Sequence, residues 1–194
     1  MAGRPFVIDS GIRRLVVASQ QRVHAYLSCE PADVERRATL LAEVFAEVGE
    51  GVEARGALHV ELGFRTTVGE RTVLGANLSV VDVAPVQIGA DVVIGANASI
   101  STLLLPHDPA KRAEKWAGGA AVTIEDNVWI GAGAVVNPGV TIGAGAVVKE
   151  NAVVPDGTMM VGVPARAVRA LAPEQLAALR ETSPYVALAK KYQK

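Results

Sequence analysis

The sequence predicts an all-β solenoid of short stacked strands, with a helical arm before it and a short helix after it. Two observations carry the prediction. From 122 to 160 the chain counts in sixes, with aliphatic residues at Ile124, Ile130, Val136, Ile142, Val148 and Val154. Four residues after each stands a small or branched one (Val128, Ala134, Val140, Ala146, Ala152, Thr158), with Gly, Asn, Asp, Pro and Ala between. A period of six fits neither a helix stripe nor one long alternating strand. It fits tight coils in which each repeat buries its aliphatic residue only by stacking on its neighbours. Composition is the second observation: 50% of residues are hydrophobic but only 4% aromatic, which suits a narrow, repetitive Val/Ile/Leu/Ala interior.

The remaining elements follow in order. Residues 1–50 are expected to form a helical arm. Ile12, Leu15, Val16, Val23, Tyr26 and Leu27 fall mostly at helical spacing over 10–27. Ser28 reads as the cap of a second helix with Pro31 in its first turn; Val34, Ala38, Leu41, Phe45 and Val48 form its stripe and Gly49 closes it. Such a helical pair can cover the unpaired strand edges of a solenoid end. The solenoid is expected over 51–163. Its early hexads run in shifted registers: Val52 and Leu58; then Leu62, Val68, Leu74 and Val80; then Ile88, Ile94 and Ile100, with a corner at Asp82-Val83-Ala84-Pro85. Residues 101–121 have no hexad pattern and read as a long insertion, the kind of place where a rigid scaffold carries function. Residues 164–194 are expected to be a helical tail, with a short helix from Pro173 to Arg180 acting as a cap or a subunit contact.

Charge and cysteine content exclude several classes. Nineteen basic against 20 acidic residues leave no basic tract for nucleic acid. One cysteine, Cys29, excludes an internal disulfide framework and a cysteine-based zinc site. No stretch has the length of a membrane span. The first residues show no long apolar run after a basic head, so a cytoplasmic protein without a secretory signal is expected.

Several segments together resemble a known family: EVGEGV at 47–52, ANLSVVDVAPVQIG at 76–89, DPAKR at 108–112, VTIEDNVWIG at 122–131, NPGVTIG at 137–143 and VGVPAR at 161–166. They are similar to the hexapeptide-repeat acetyltransferases, and within these to the subgroup that acetylates maltose, galactosides and nodulation oligosaccharides. The resemblance covers nearly the whole chain. It implies a left-handed parallel β-helix, acetyl-CoA as co-substrate, a small-molecule hydroxyl acceptor, and a homotrimer with active sites at subunit interfaces. In such enzymes a His of the inserted loop takes the acceptor's proton while the oxygen attacks the thioester, a task suited to a group titrating near neutral pH.

Compared residue by residue, the acceptor side departs from the family. The loop frame Thr-x-x-His-Pro, a variable residue, then Asp-Pro reads here as Thr102 to Pro109, with Leu105 at the base position. Leu accepts no proton. Leu105 then counts as a substrate contact, and His107 is the candidate base if the loop rearranges; the alternative is a solvated His107 paired with Asp108. The acceptor strand, Asn-Phe-Asn followed by Asp in the family, is Gly75-Ala76-Asn77 followed by Asp82. Asn77 and Asp82 are candidate catalytic residues, corner chemistry being the alternative for both. The polar coil Cys-Asp-Tyr-Gly-x-Asn is replaced by Val60-Glu61-Leu62-Gly63-Phe64-Arg65, and the family's N-terminal Tyr…Asp-Pro segment has no counterpart. An acceptor less polar than a simple sugar is therefore expected, with His59 and Glu61, two apart on one strand face, as substrate contacts. For His59 a merely exposed side chain is the alternative.

On the cofactor side, Val128 to Ala132 matches the coil that lines the pantetheine groove, making Trp129, Gly131 and Ala132 cofactor candidates. Arg166 and Arg169 match positions near the cofactor's phosphates, where a guanidinium can pair with phosphate oxygens; a solvated basic turn is the alternative. The Gly-Ala-Gly expected in the next coil is Lys149-Glu150-Asn151 by direct count. A gap elsewhere would supply Gly143-Ala144-Gly145 instead and put Lys149 near the phosphates.

The function expected is acyl-CoA-dependent O-acyl transfer. The alternatives are a repurposed solenoid that does other acid/base chemistry or only binds a ligand, and a purely structural trimer. No metal is expected: a three-histidine zinc site would need His24, which lies in the helical arm, to meet His59 and His107. A sugar nucleotidyltransferase would need a nucleotide-binding domain for which there is no room before residue 50.

Overall fold

The structure, a computed structural model, describes residues 5–175. A short strand β1 (Phe6–Val7) leads into helix α1 (Ser10–Leu27), opened by Asp9, whose carboxylate accepts from the Ile12 N–H at 2.9 Å. Ser28 does not open the second helix. It ends the first, its N–H donating to the His24 carbonyl at 2.9 Å. Helix α2 (Val34–Val44) is opened by Asp33, which accepts from the Arg36 N–H at 3.1 Å. Its apolar stripe stops short of Val48 because Phe45 turns extended (φ −103°, ψ 166°). The helices pack on each other, and α1 lies along the first coils. No helix among the described residues is long and apolar enough to cross a membrane.

The solenoid starts inside the span expected for the arm. Its first coil is β2 (Glu47–Val48), β3 (Glu53–Ala54) and β4 (Leu58–Val60); its second is β5 (Thr66–Val68), β6 (Val73–Leu74) and β7 (Leu78–Val81). The third is β8 (Val86–Ile88), β9 (Val93–Ile94) and β10 (Ser99–Ser101). An excursion of β11 (Leu103–Leu104), helix α3 (Pro109–Ala113) and β12 (Trp116–Gly119) follows. The fourth coil is β13 (Val122–Ile124), β14 (Trp129–Ile130) and β15 (Val135–Val136); the fifth is β16 (Thr141–Ile142), β17 (Val147–Val148) and β18 (Val153–Val154). Strand β19 (Thr158–Val161) begins a sixth turn, and β20 (Arg166–Ala170) folds back antiparallel on it. Residues 166–170 are thus strand where a helical tail was expected. Of the helix expected from Pro173 to Arg180, all beyond 175 lies outside the described residues.

Like strands stack in parallel, giving three faces: β2-β5-β8-β13-β16-β19 is the first, β3-β6-β9-β14-β17 the second and β4-β7-β10-β15-β18 the third. The hexad residues Ile124, Ile130, Val136, Ile142, Val148 and Val154 are all at most 1% exposed, and they stack on Ile88, Ile94 and Ile100. Each such Val or Ile contributes about 1.5–3 kcal/mol by leaving water.

Coil length explains the shifted early registers. Val48, Val68 and Ile88 stack 20 residues apart, whereas Ile124, Ile142 and Met160 stack 18 apart. Both surplus residues fall at the third corner, between the third face and the first, and the 101–121 excursion leaves from that same corner. Leu62 sits there, outside the coil. It joins Phe6, Ile12, Val83 and Ala117 in a second buried cluster instead of beginning a hexad set. Gly49 closes no helix: it turns a first corner, where a Cβ would lie 2.4 Å from the Glu70 nitrogen of the next coil.

Candidate functional site

The excursion is a built structure. β11 and β12 form an antiparallel hairpin, and β1 adds to its far edge, pairing Phe6 with Ala117 and Val7 with Trp116. Asp108 caps the short helix between the two strands by accepting from the Ala110 N–H at 2.9 Å, and Arg112 donates to the carbonyls of Pro106 and His107 at 2.7 Å each. Asp108 therefore serves the backbone and does not pair with His107, whose side chain is exposed. Leu105, 55% exposed, stands just beyond β11.

Between this hairpin, the start of α1 and the third corner lies a cavity of about 400 Å³. Phe6, Ile8, Ile12, Val16, Val83 and Leu103 give it apolar walls; Arg13 and Glu61 are the charged groups that line it. From the excursion it is Leu103, and not His107, that reaches it. A second groove, of about 290 Å³, runs between α1 and the third face past His24, His59, Glu61 and Ser79. Glu61 lines both. His59 and Glu61 do share the outward side of β4 and its extension, and Ser79 stands beside His59 in register.

Asp82 is buried at the third corner, 0% exposed. Its two oxygens accept from the Leu62 N–H and the Thr66 hydroxyl, each at 2.9 Å, so it ties the second-coil corner to the one before. Burial pushes its carboxyl above the usual carboxylate range, although these hydrogen bonds pull the other way. Glu61, half-buried beside it, is raised as well, first by burial and then by the Asp82 charge. Asn77 stands elsewhere, at the other end of β7. Its left-handed backbone (φ 59°) turns the second corner, and its amide donates to the Asn97 side-chain oxygen at 3.2 Å. The expected trio His107, Asp82 and Asn77 is therefore not formed within one chain: a four-residue strand separates the last two, and Asp82 is closed to solvent.

Gly75 belongs to that second corner too. A Cβ on it would lie 2.5 Å from the Ile94 oxygen, so the stacking of the next coil leaves no room for the asparagine that the resembled family has at this position. The same contact recurs up the corner. A Cβ on Gly95 would meet the Ala132 nitrogen, and one on Gly131 the Glu150 nitrogen, each at 2.4 Å. Lys149 stands next above Gly131, just after β17, the outermost strand of its sheet, and is exposed. Asn151 donates its N–H to the Ala132 carbonyl at 2.8 Å, so Lys149-Glu150-Asn151 stacks directly on Gly131-Ala132-Gly133.

Trp129 projects outward from the second face, 52% exposed, in a column with Val73, Val93 and Val147. The crossing segment after β19 closes the top of that column: Val147 donates its N–H to the Gly162 carbonyl at 3.0 Å, and the Ala165 N–H donates to the Val147 carbonyl at 2.7 Å. Arg166 follows at once, exposed on β20. Arg169, three residues on, donates to Gln175 at 2.5 Å. The cofactor candidates Trp129, Gly131, Ala132 and Lys149 thus gather at the upper second face and its corner with the third, while Arg166 stands on β20, at the top of the first face opposite Val161. In a three-sided coil the second face lies opposite the third corner, so this group and the Glu61 cavity are on opposite sides of the chain.

The sequence singled out Glu61, His59 and Leu105 but not Phe6, Ile8, Ile12 or Leu103. A signal for these was present: two apolar runs outside the repeat, Phe6-Val7-Ile8 and Leu103-Leu104-Leu105, each needed a partner to cover it.

Two families of repeats match the solenoid: Bacterial transferase hexapeptide (six repeats) over residues 121–156, and Hexapeptide repeat of succinyl-transferase over 65–102. The galactoside O-acetyltransferase of Escherichia coli is 35% identical over 175 residues, 87% of this chain and 85% of that enzyme. The sophorolipid acetyltransferase of Starmerella bombicola is 34% identical over 176 residues, 85% of this chain and 68% of that one. Among solved structures, a galactoside acetyltransferase in complex with coenzyme A superposes with a TM-score of 0.74 at 28% identity, covering 89% of this chain and 88% of that one. A hexapeptide-repeat acetyltransferase of Vibrio cholerae complexed with acetyl coenzyme A gives 0.69 at 30% identity, over 85% and 91%. The fold shared with them is the left-handed β-helix.

Proposed function

The chain belongs to the hexapeptide-repeat acetyltransferases, and from that premise we propose that it transfers the acetyl group of acetyl-CoA to a hydroxyl of a small molecule with a substantial apolar body. The observation that carries the acceptor class is the cavity of about 400 Å³ walled by Phe6, Ile8, Ile12, Val16, Val83 and Leu103. Apolar walls reward removal of hydrocarbon from water at about 25 cal/mol per Å², and a sugar ring would have to give up hydration there for little return. A relative named for acetylating a sophorolipid, an amphiphile, is in keeping with this.

Acetyl-CoA is the co-substrate in this proposal. Its thioester arm would lie along the second face at Trp129, Gly131 and Ala132, with Lys149, Arg166 and Arg169 as cations for its phosphates. Because that face and the acceptor cavity lie on opposite sides of one chain, a complete site needs two copies. A homotrimer, in which each second face meets the third corner of a neighbour, supplies three such sites. The exposed apolar column of Val93 and Trp129 gives the copies something to bury.

Calorimetric titration with acetyl-CoA tests the first step: binding is expected, and none at millimolar cofactor would remove the transferase reading in favour of a repurposed solenoid. Thiol release is then compared for octyl β-glucoside, 1-octanol and glucose, with the apolar acceptors expected to be faster. A preference for glucose would overturn the acceptor class.

A further inference from the structure

The base position of the family's loop is Leu105, and His107 does not line the acceptor cavity, so the proton of the acceptor hydroxyl needs another destination. We propose that Glu61 is the catalytic proton acceptor, acting at the mouth of the apolar cavity. This rests on the transferase reading above and names the residue that would make it work.

Three observations converge on Glu61. Its position is the first: it is the one carboxylate among the residues lining the cavity, and the inserted hairpin reaches the same cavity through Leu103, two residues before the vacated base position. Its freedom is the second. Among the described residues its carboxylate takes part in no hydrogen bond or ion pair, whereas the neighbouring Asp82 has both oxygens committed to the backbone and to Thr66. A half-buried carboxylate without a partner is costly in a folded chain, and here it faces space that a ligand can fill. Its surroundings are the third: burial among apolar walls, and then the neighbouring Asp82 carboxylate, make it a stronger base than a solvated glutamate. The other charged or titratable groups around it come from α1 and the neighbouring strands. Arg13 lines the cavity, and His24 and His59 line the adjoining groove. Arg22 donates to the Leu62 carbonyl at 3.2 Å, and Arg65 is buried in the same corner.

The step balances without any further reagent. As the acceptor oxygen forms its bond to the thioester carbonyl carbon, its O–H bond breaks and the proton passes to a Glu61 carboxylate oxygen. Collapse of the tetrahedral intermediate breaks the C–S bond. The departing thiolate takes the proton from Glu61, which leaves an acetyl ester, free CoA thiol and the carboxylate restored.

The test uses the full chain with acetyl-CoA and octyl β-glucoside or 1-octanol, and reads thiol release against pH. The wild-type rate is expected to rise with pH through a single limb above the usual carboxylate range. Glu61→Gln should lower kcat about 10²–10⁴-fold and lose that limb, while acetyl-CoA affinity stays as in the wild type and Tm does not fall. Glu61→His should recover part of the rate with the limb moved to about pH 6.5. His107→Ala should leave both rate and limb unchanged. A Glu61→Gln protein that keeps the wild-type rate and limb overturns the proposal, as does loss of the limb in His107→Ala. A wild type that binds acetyl-CoA but acetylates none of these acceptors overturns the acceptor reading and Glu61's role with it, whereas a normal wild type beside a normal Glu61→Gln removes only the latter.

Discussion

Asp82 and Glu61 stand side by side with opposite duties, and their stability consequences differ accordingly. Asp82→Ala would leave the Leu62 N–H and the Thr66 hydroxyl buried without acceptors, at a cost of about 2–4 kcal/mol in chemical denaturation. Asp82→Asn should cost much less, because the amide oxygen can accept from Leu62 while its NH₂ donates to the Thr66 oxygen. The sign of the pH dependence follows from the direction of the shifts. Both carboxyls are raised in the folded chain, so the folded state holds protons more tightly than the unfolded state. Their contribution is fully present below the unfolded values and is lost as pH rises through the folded ones. Between about pH 4 and neutrality, stability measured by urea titration should therefore fall more steeply in the wild type than in Asp82→Asn; equal slopes would show that Asp82 is not raised. A third substitution bears on the loop. Leu105→His should yield only a small gain in thiol release, since Gly75 still has no room for the asparagine that the resembled family has there. Activity rising to that of an efficient transferase would refute this. Asp82 is visible in the sequence as a polar residue in a corner, but its burial is not, because the groups it binds lie 16 and 20 residues away.

Within the coils, the glycines of the second corner answer to what is stacked above them. Gly131→Ala drives a Cβ to 2.4 Å from the Glu150 nitrogen, a backbone atom that cannot swing aside, and should cost at least about 1–3 kcal/mol. Gly145→Ala, at the first corner, meets no atom within 4 Å and bears only the strain of φ +68°, about 1 kcal/mol. Guanidinium midpoints of the two variants should rank in that order; the reverse ranking would mean the upper coils are not stacked in this register. The strict hexads of the fourth and fifth coils were readable because a constant period is a local signal. The first three coils were harder, since two surplus residues per turn advance the phase by a third of a hexad at every third corner. Asp33 was missed as a cap because Ser28 and Pro31 offered a competing start. The hairpin of β11 and β12 was not readable at all: its edge partner, β1, lies about a hundred residues earlier, and no short-range pattern reports such a pairing.

For the trimer proposed above, a site shared between two subunits makes a prediction that a single-chain site would not. Trp129→Ala and Glu61→Gln should each be nearly inactive, yet trimers formed by unfolding and refolding the two together should regain activity. Random assortment around a closed ring leaves about a quarter of the sites with both native residues. Sedimentation should give three times the 20.1 kDa chain mass, and Val93→Glu, which places charge on the exposed apolar column, should shift it toward the monomer. No recovery in the mixed trimers would place both halves of the site in one subunit. The third corner has a further consequence. Every change in coil length, from two surplus residues to the excursion of 101–121, is absorbed at that one edge, while the spacing along the other two never departs from six. The scaffold therefore works as a rack with a single open slot. Hairpins of different length and chemistry can be exchanged there to retarget the enzyme, and the wall proposed to hold the cofactor keeps its register throughout.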